Sequence, residues 1–256
     1  MTRDKRQPGT DTYSELDYTA TPLDTPARAL AIGAHPDDIE FGAGGTLAHW
    51  ASAGCEVTML IMTDGSKGSW DHSADPTTLA QTRTTEQQAA ADELGAQEVR
   101  HLGHVDGELE YSMALRREVC HHIRDVRPNV VLSHDPWQRY QLHPDHRATG
   151  WAAVDGVISA RDHLFFPEQG LAAHRPDALL LWSADSPDHW EDIATHFDTK
   201  IAALLCHSSQ GTSTMGGAEK TDDKRTAFVD RMLRWAAKQG ATTGLSAAEA
   251  FKRITP

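Results

Sequence analysis

ALAIGAHPDDIEFGAGGTLAHWASAG, residues 29–54, passes from a short apolar run through a polar turn into a segment of helical spacing. The run 29–34 reads as a buried strand, and Leu47, Trp50 and Ala51 place a helix over about Phe41–Ala53 that Gly54 ends. Downstream the alternation continues. Strands are expected at CEVTMLIMT (55–63), EVRHLG (98–103), NVVLS (129–133) and DALLLWS (177–183), with helices from about Thr77 to Leu94, Met113 to Val126 and Pro144 to Ala160 between them. Strands alternating with helices over short loops predict parallel neighbours joined by crossovers, an α/β, Rossmann-like, mostly parallel sheet with helices on both faces. Two further helices, near 195–207 and 219–238, show no hydrophobic pattern long enough for a core of their own, so a single domain over 28–256 is expected. Residues 1–27 carry Pro8, Pro22 and Pro26 without periodicity and read as a flexible N-terminal arm.

Composition narrows the function classes. With 24 Lys and Arg against 37 Asp and Glu, the net charge of −13 opposes a nucleic-acid partner. Apolar runs such as Ala178–Trp182 are far shorter than the ~20 residues of a membrane-spanning helix, and the N-terminus has no apolar signal core, so no membrane partner and a cytoplasmic location are expected. Cys55, Cys120 and Cys206 form no CxxC pair and read as small buried hydrophobes.

Ligands of open parallel sheets sit at the carboxyl ends of strands. Two tetrapeptides fall there: His35-Pro36-Asp37-Asp38 after the first strand, and His143-Pro144-Asp145-His146 at the start of a helix beyond the fourth. Pro144 suits a first helical position, which puts His143 at the cap and His146 in the first turn. His35, Asp38 and His146 then make a two-histidine, one-carboxylate set of the kind that holds a catalytic Zn2+ and leaves a position open for water, although Fe2+ or Co2+ would accept the same donors. Asp37, next to a ligand, is placed to take the water's proton. His143, kept cationic by Asp145, is the expected partner of the oxyanion. GAGG at 42–45 lacks GxGxxG spacing, so its glycines point to close packing rather than to a dinucleotide.

The chain resembles the LmbE-like or PIG-L-type zinc-dependent N-acetylglucosaminyl deacetylases, which include those of the mycothiol and bacillithiol pathways. The likeness rests on AHPDD (34–38), GAGGTL (42–47), TDGSKG (63–68), Arg83 with Glu86 before AADELG (90–95), LGHVDG (102–107), HPDH (143–146), Lys200 with HSSQ (207–210), and EAF (249–251). It implies His35, Asp38 and His146 as metal ligands, Asp37 as general base and His143 as the oxyanion-stabilising residue. It further implies that Arg83 and Asp106 contact the sugar, with a helix-surface ion pair and a turn aspartate as the bland alternatives. Where many members carry an acid after the loop glycine, this chain has Ser66 and Lys67. Lys67 then offers a contact to an anionic substituent, and Trp70 or Trp137 a stacking face. His101, His104 and His134 lie close to strand ends and edge the expected pocket, with no role assigned to any of them.

The expected activity is removal of an acetyl group from an N-acetylglucosamine-containing small molecule by a metal-activated water, with the amino sugar as partner and a homo-oligomer allowed by the resemblance. The alternatives are an amidase acting on a mycothiol-type conjugate or glycosylated metabolite, and a non-catalytic sugar-binding homologue.

Overall fold

A computed structural model describes residues 22–256. Seven strands form one sheet: β1 (Arg28–Gly33), β2 (Glu56–Thr63), β3 (Glu98–His104), β4 (Val130–His134), β5 (Ala178–Trp182), β6 (His189–Asp192) and β7 (Ala248–Ile254). Their spatial order is β3-β2-β1-β4-β5-β7-β6. The first five are mutually parallel, and β7 runs antiparallel to both β5 and β6. Among the described residues the six α-helices are α1 (Asp38–Ser52), α2 (Pro76–Leu94), α3 (Met113–Val126), α4 (Pro144–Arg161), α5 (Phe197–Cys206) and α6 (Asp222–Gly240).

β1 explains why the inner strands are apolar throughout. Ala29 and Ala31 join the core layer under α1 and α2, while Leu30 and Ile32 join the opposite layer under α3 and α4. A strand covered on both faces has no solvent side on which to place polar residues. β1 is also where the strand order reverses, with β2 on one side and β4 on the other. The crevice beyond the carboxyl ends of β1 and β4 is therefore the natural ligand position of this topology.

The expected parallel sheet is present, and β6 and β7 extend it. α1 begins at Asp38 rather than near Phe41, because the helix starts directly on the HPDD turn. The glycines of α1 do serve close packing: a Cβ on Gly42 would lie 2.5 Å from the Trp182 ring, and one on Gly45 2.6 Å from Ile193. Of the expected arm, residues 1–21 lie outside the described range. Leu23, by contrast, packs against the core, and its N–H donates to Glu191 Oε1 at 2.9 Å. Cys55 and Cys120 are buried and Cys206 is half-buried, all as free thiols.

Candidate active site

The carboxyl ends of β1 and β4 bring the two HPDx tetrapeptides face to face. Asp37, the N-cap of α1, has φ 100°, a left-handed conformation that costs a non-glycine residue free energy and persists where surroundings enforce it. Gln87 supplies part of that enforcement, its Oε1 accepting the Asp37 N–H at 3.1 Å. Arg83 supplies more. It donates to the carbonyls of Pro36 and Gly65, the latter at 3.1 Å. In the second tetrapeptide, Pro144 opens α4 and His143 caps it, Nδ1 accepting the Asp145 N–H at 3.3 Å.

The expected ligand trio meets at Asp38. Its Oδ2 is 3.2 Å from His35 Nδ1 and its Oδ1 is 3.2 Å from His146 Nε2. Convergent donors form three overlapping groups: His35 with His143 and His146, Asp38 with His134 and His146, and His35 with Asp106, His143 and Asp145. Asp38, Asp106 and Asp145 thus crowd four imidazoles in a largely buried space. Burial lowers the His35 pKa, but its contacts with Asp106, Asp145 and Asp38 outweigh this and push it up to about 12. A cluster that draws in positive charge so strongly fits a divalent cation, and its imidazole and carboxylate donors suit a transition metal.

Around this trio the neighbours set orientation. His35 Nε2 lies 3.0 Å from Asp145 Oδ2 and 3.2 Å from Asp106 Oδ1, which leaves Nδ1 on the Asp38 side. Asp145 also accepts the N–H groups of Gly107 and Leu109, at 2.7 and 3.2 Å, tying the LGHVDG loop to α4. This corrects the expectation that Asp145 keeps His143 cationic, because its carboxylate is spent on His35 and on backbone. His143 accepts at Nδ1, a burden that the neutral Nε2–H form carries, and burial together with the charges of His35 and His146 lowers its pKa. A neutral imidazole with Nε2–H still donates to an oxyanion.

Asp37 is 4% exposed, and its Oδ2 makes no hydrogen bond among the described residues, with the nearest Arg83 nitrogen 3.6 Å away. Burial raises its pKa to about 6 against the opposing pull of Arg83, with Asp38 adding to the rise. That is a carboxylate tuned toward neutral pH with an acceptor oxygen to spare.

A cavity of about 350 Å³ opens beside this group, lined by Asp37, His143, Lys67, Trp70, Arg83 and Asp106 among others. Arg83, at 3% exposure, forms its wall rather than a helix-surface ion pair. Asp106 is likewise buried, its Oδ2 accepting the Lys67 N–H at 3.0 Å. Lys67 Nζ pairs with Glu108 at 2.7 Å at the rim, and Trp70 is 74% exposed. Trp137 packs edge-on against Trp151, with ring centroids 4.9 Å apart.

His134 is the residue whose place the sequence left open. At the end of β4, beside the carboxyl end of β1, it has Nε2 3.3 Å from Asp38 Oδ2 and its ring stacked on His146. Its position at the carboxyl end of a strand was the available signal. Gln87 and Glu86 were also without roles. The Glu86 carboxylate accepts from Ser208 Oγ and from the Ser209 N–H and Oγ, at 2.6 to 2.8 Å, fastening the HSSQ stretch beside the cavity.

With this geometry in view, comparison with known families matches residues 30–157 to PIG-L, described as GlcNAc-PI de-N-acetylase. The chain belongs to the PIG-L family. Within it, diacetylchitobiose deacetylase of Thermococcus kodakarensis is 34% identical over 201 residues, 77% of this chain and 75% of that protein. A 1D-myo-inositol 2-acetamido-2-deoxy-alpha-D-glucopyranoside deacetylase of Kineococcus radiotolerans is 32% identical over 170 residues, 54% of this chain and 46% of the relative. The solved structure of N,N'-diacetylchitobiose deacetylase from Pyrococcus horikoshii superposes with a TM-score of 0.81 at 30% identity, covering 90% of this chain and 84% of the other. The PIG-L relatives are thus deacetylases of N-acetylglucosamine-containing small molecules, and this chain carries a His/Asp cluster suited to a metal ion.

Proposed function

We propose that the chain hydrolyses the N-acetyl amide of an N-acetylglucosamine-containing small molecule, with His35, Asp38 and His146 holding one divalent metal, Zn2+ before Fe2+ or Co2+. A bound metal at this position supplies Lewis acidity, lowering the pKa of water and polarising the amide carbonyl. The remaining work belongs to the chain's own side chains. Asp37 takes the proton of the attacking water and returns it to the amide nitrogen as the C–N bond breaks, giving acetate and a free amine. His143 donates from Nε2–H to the oxyanion. Asp145 and Asp106 hold His35, while Asp106, Lys67 and Trp70 offer the sugar polar groups and a stacking face beside Arg83.

The observation that carries this reading is the spare oxygen of Asp37, buried, raised in pKa and adjacent in sequence to the Asp38 that links both histidines. The family relationship supports it independently. Among the described residues no helix is long and apolar enough to cross a membrane. A cytoplasmic enzyme acting on small molecules, as a monomer or homo-oligomer, is the accompanying proposal. Acetate release from N-acetylglucosamine and N,N'-diacetylchitobiose, assayed alongside metal content, tests it. Turnover that survives both Asp37→Asn and complete metal removal overturns it.

A further inference from the structure

We propose that Glu40 and Gln87 are positioning residues for the general base, a hydrogen-bond chain that keeps Asp37 from capping α1 and so leaves its carboxylate free for the reaction. This inference rests on the role given to Asp37 in the deacetylase reading above. Asp37 is the N-cap of α1, its carbonyl accepting the Phe41 N–H at 3.1 Å. An aspartate at that position ordinarily takes extended dihedrals and turns its carboxylate onto the N–H groups of the first turn. Asp75 does so at the start of α2, where φ is −83° and Oδ2 accepts the Thr78 N–H at 2.8 Å. Ser112 and Thr221 cap α3 and α6 in the same way. Asp37, with φ 100° and ψ −24°, makes no such bond, and it lines the catalytic cavity instead.

Two contacts on one peptide account for the exception. The Pro36 carbonyl and the Asp37 N–H belong to the same rigid plane. Arg83 donates to that carbonyl, and Gln87 Oε1 accepts that N–H at 3.1 Å. The two side chains stand one turn apart on α2, so a single helix grips both sides of the peptide. With α1 held by its own packing, the orientation of the plane sets φ of Asp37.

Glu40 decides which end of the Gln87 amide faces Asp37. A backbone N–H only donates, so Gln87 must present Oε1 to it. Its Nε2 then points away and donates to Glu40 Oε1 at 2.6 Å. Without an acceptor at position 40 the amide loses that preference, and its NH2 is free to turn toward Asp37, donor against donor. Gln87 and Glu40 are fully buried, and so is His207 at the end of α5, whose Nε2 lies 3.5 Å from the same Glu40 oxygen. Neither Gln87 nor Glu40 lines the catalytic cavity, so both act through Asp37 rather than on the substrate.

The experiment measures kcat, KM and bound zinc for the Zn2+-loaded full chain on N-acetylglucosamine and N,N'-diacetylchitobiose, in Gln87→Leu, Asp37→Asn and the double variant. Gln87→Leu should lose about 10–100-fold in kcat, the scale of a misplaced catalytic group, with KM within about twofold and zinc retained. In the Asp37→Asn background the same change should cost nothing further, because the group it positions is already gone. A crystal structure of Gln87→Leu should show Asp37 at negative φ with its carboxylate on the first-turn N–H groups. Reversing the chain gives a second set of variants that keeps buried polar groups in place. Gln87→Glu alone sets two carboxylates against each other and should lose kcat likewise. Gln87→Glu with Glu40→Gln should recover most of it, since the new carboxylate accepts from both the Asp37 N–H and the new amide. Equal losses with and without the Asp37 carboxylate, zinc lost in step with activity, or wild-type kcat in Gln87→Leu overturns the inference and leaves the deacetylase reading standing. A Gln87→Glu defect that Glu40→Gln does not relieve overturns it as well. Absence of turnover by the wild-type chain on both substrates defeats the two readings together.

Discussion

Trp182 donates its indole N–H to His134 Nδ1 at 3.1 Å, and this bond decides which nitrogen of His134 carries the proton. An indole nitrogen is only a donor, so Nδ1 must be the acceptor and Nε2 bears the hydrogen, facing Asp38 Oδ2 at 3.3 Å. Burial keeps the ring neutral by lowering its pKa to about 4, although Asp38 pulls the other way. β5 thereby orients a carboxylate at the end of β1 through one imidazole on β4. Partners of this kind that hold a ligand typically contribute 10–100-fold to metal affinity.

His134→Leu is therefore expected to weaken Zn2+ binding by roughly 10–100-fold. His134→Gln, which retains an N–H donor, should recover most of the loss. Competition with a chromogenic chelator measures both variants. Equal losses in the two would mean that His134 is itself a ligand, in line with its convergence on Asp38 and His146.

Asp37→Asn separates stability from catalysis. In the metal-free protein, burial, opposed by Arg83 and aided by Asp38, raises the Asp37 pKa to about 6. Between the unfolded value near 4 and this folded value, the native state binds more protons than the unfolded chain. Stability therefore falls as pH rises across that window, and the deficit persists above it. Asparagine carries no such charge and tolerates a left-handed φ. The variant should gain on the order of 2 kcal/mol at pH 8, gain little at pH 4, and lose at least ~100-fold in kcat. Urea titrations of EDTA-treated protein at the two pH values, with acetate assays of the metal-loaded form, read out each part. An unchanged pH 8 midpoint would contradict the strained, buried charge described for Asp37.

In the proposed mechanism His143 acts as a neutral donor. Its pKa is lowered by burial and by His35 and His146, so its protonation does not limit activity across the ordinary histidine range. No loss of kcat is expected as pH rises from 6.5 to 8, whereas a cationic His143 would produce a falling limb there. His143→Ala should cost ~100–1,000-fold in kcat, the usual scale for an oxyanion donor, with metal content unchanged. A pH–rate profile and metal analysis on the same preparations check both statements.

The five parallel strands, their helices and the pairing of the two HPDx tetrapeptides were legible because apolar runs and strand-end positions are local signals. β6 and β7 were not. Their sequences, HWED and AEAFKRI, put His189, Glu191 and Glu249 in buried positions, so neither shows the apolar run that marks an inner strand. The two glutamates are accommodated by partners distant in sequence. Glu191 accepts the Leu23 N–H at 2.9 Å and Glu249 bonds to Thr46 and Lys200, contacts that form only in the folded chain. The role of Asp145 was misread for a related reason. Sequence adjacency favoured His143, whereas the fold brings His35, 110 positions away, to its carboxylate.

The Lys200–Glu249 pair shows what such long-range compensation is worth. At 1% and 0% side-chain exposure, the two charges meet at 2.5 Å. Glu249 also accepts the N–H groups of Gly45 and Thr46 inside α1, at 2.9 and 2.8 Å, while Lys200 donates to the Phe41 carbonyl at 2.8 Å. The pair therefore ties α5 and β7 to the middle of α1, at the segment that packs on Trp182. Lys200→Met removes the cation and strands a buried carboxylate, a change expected to destabilise the fold by about 3–5 kcal/mol. Lys200→Met combined with Glu249→Gln removes both charges and keeps amide hydrogen bonding to α1, so part of that loss should return. Urea denaturation of the two variants measures the difference. If the double variant were no more stable than Lys200→Met alone, the unpaired charge would not be the source of the cost.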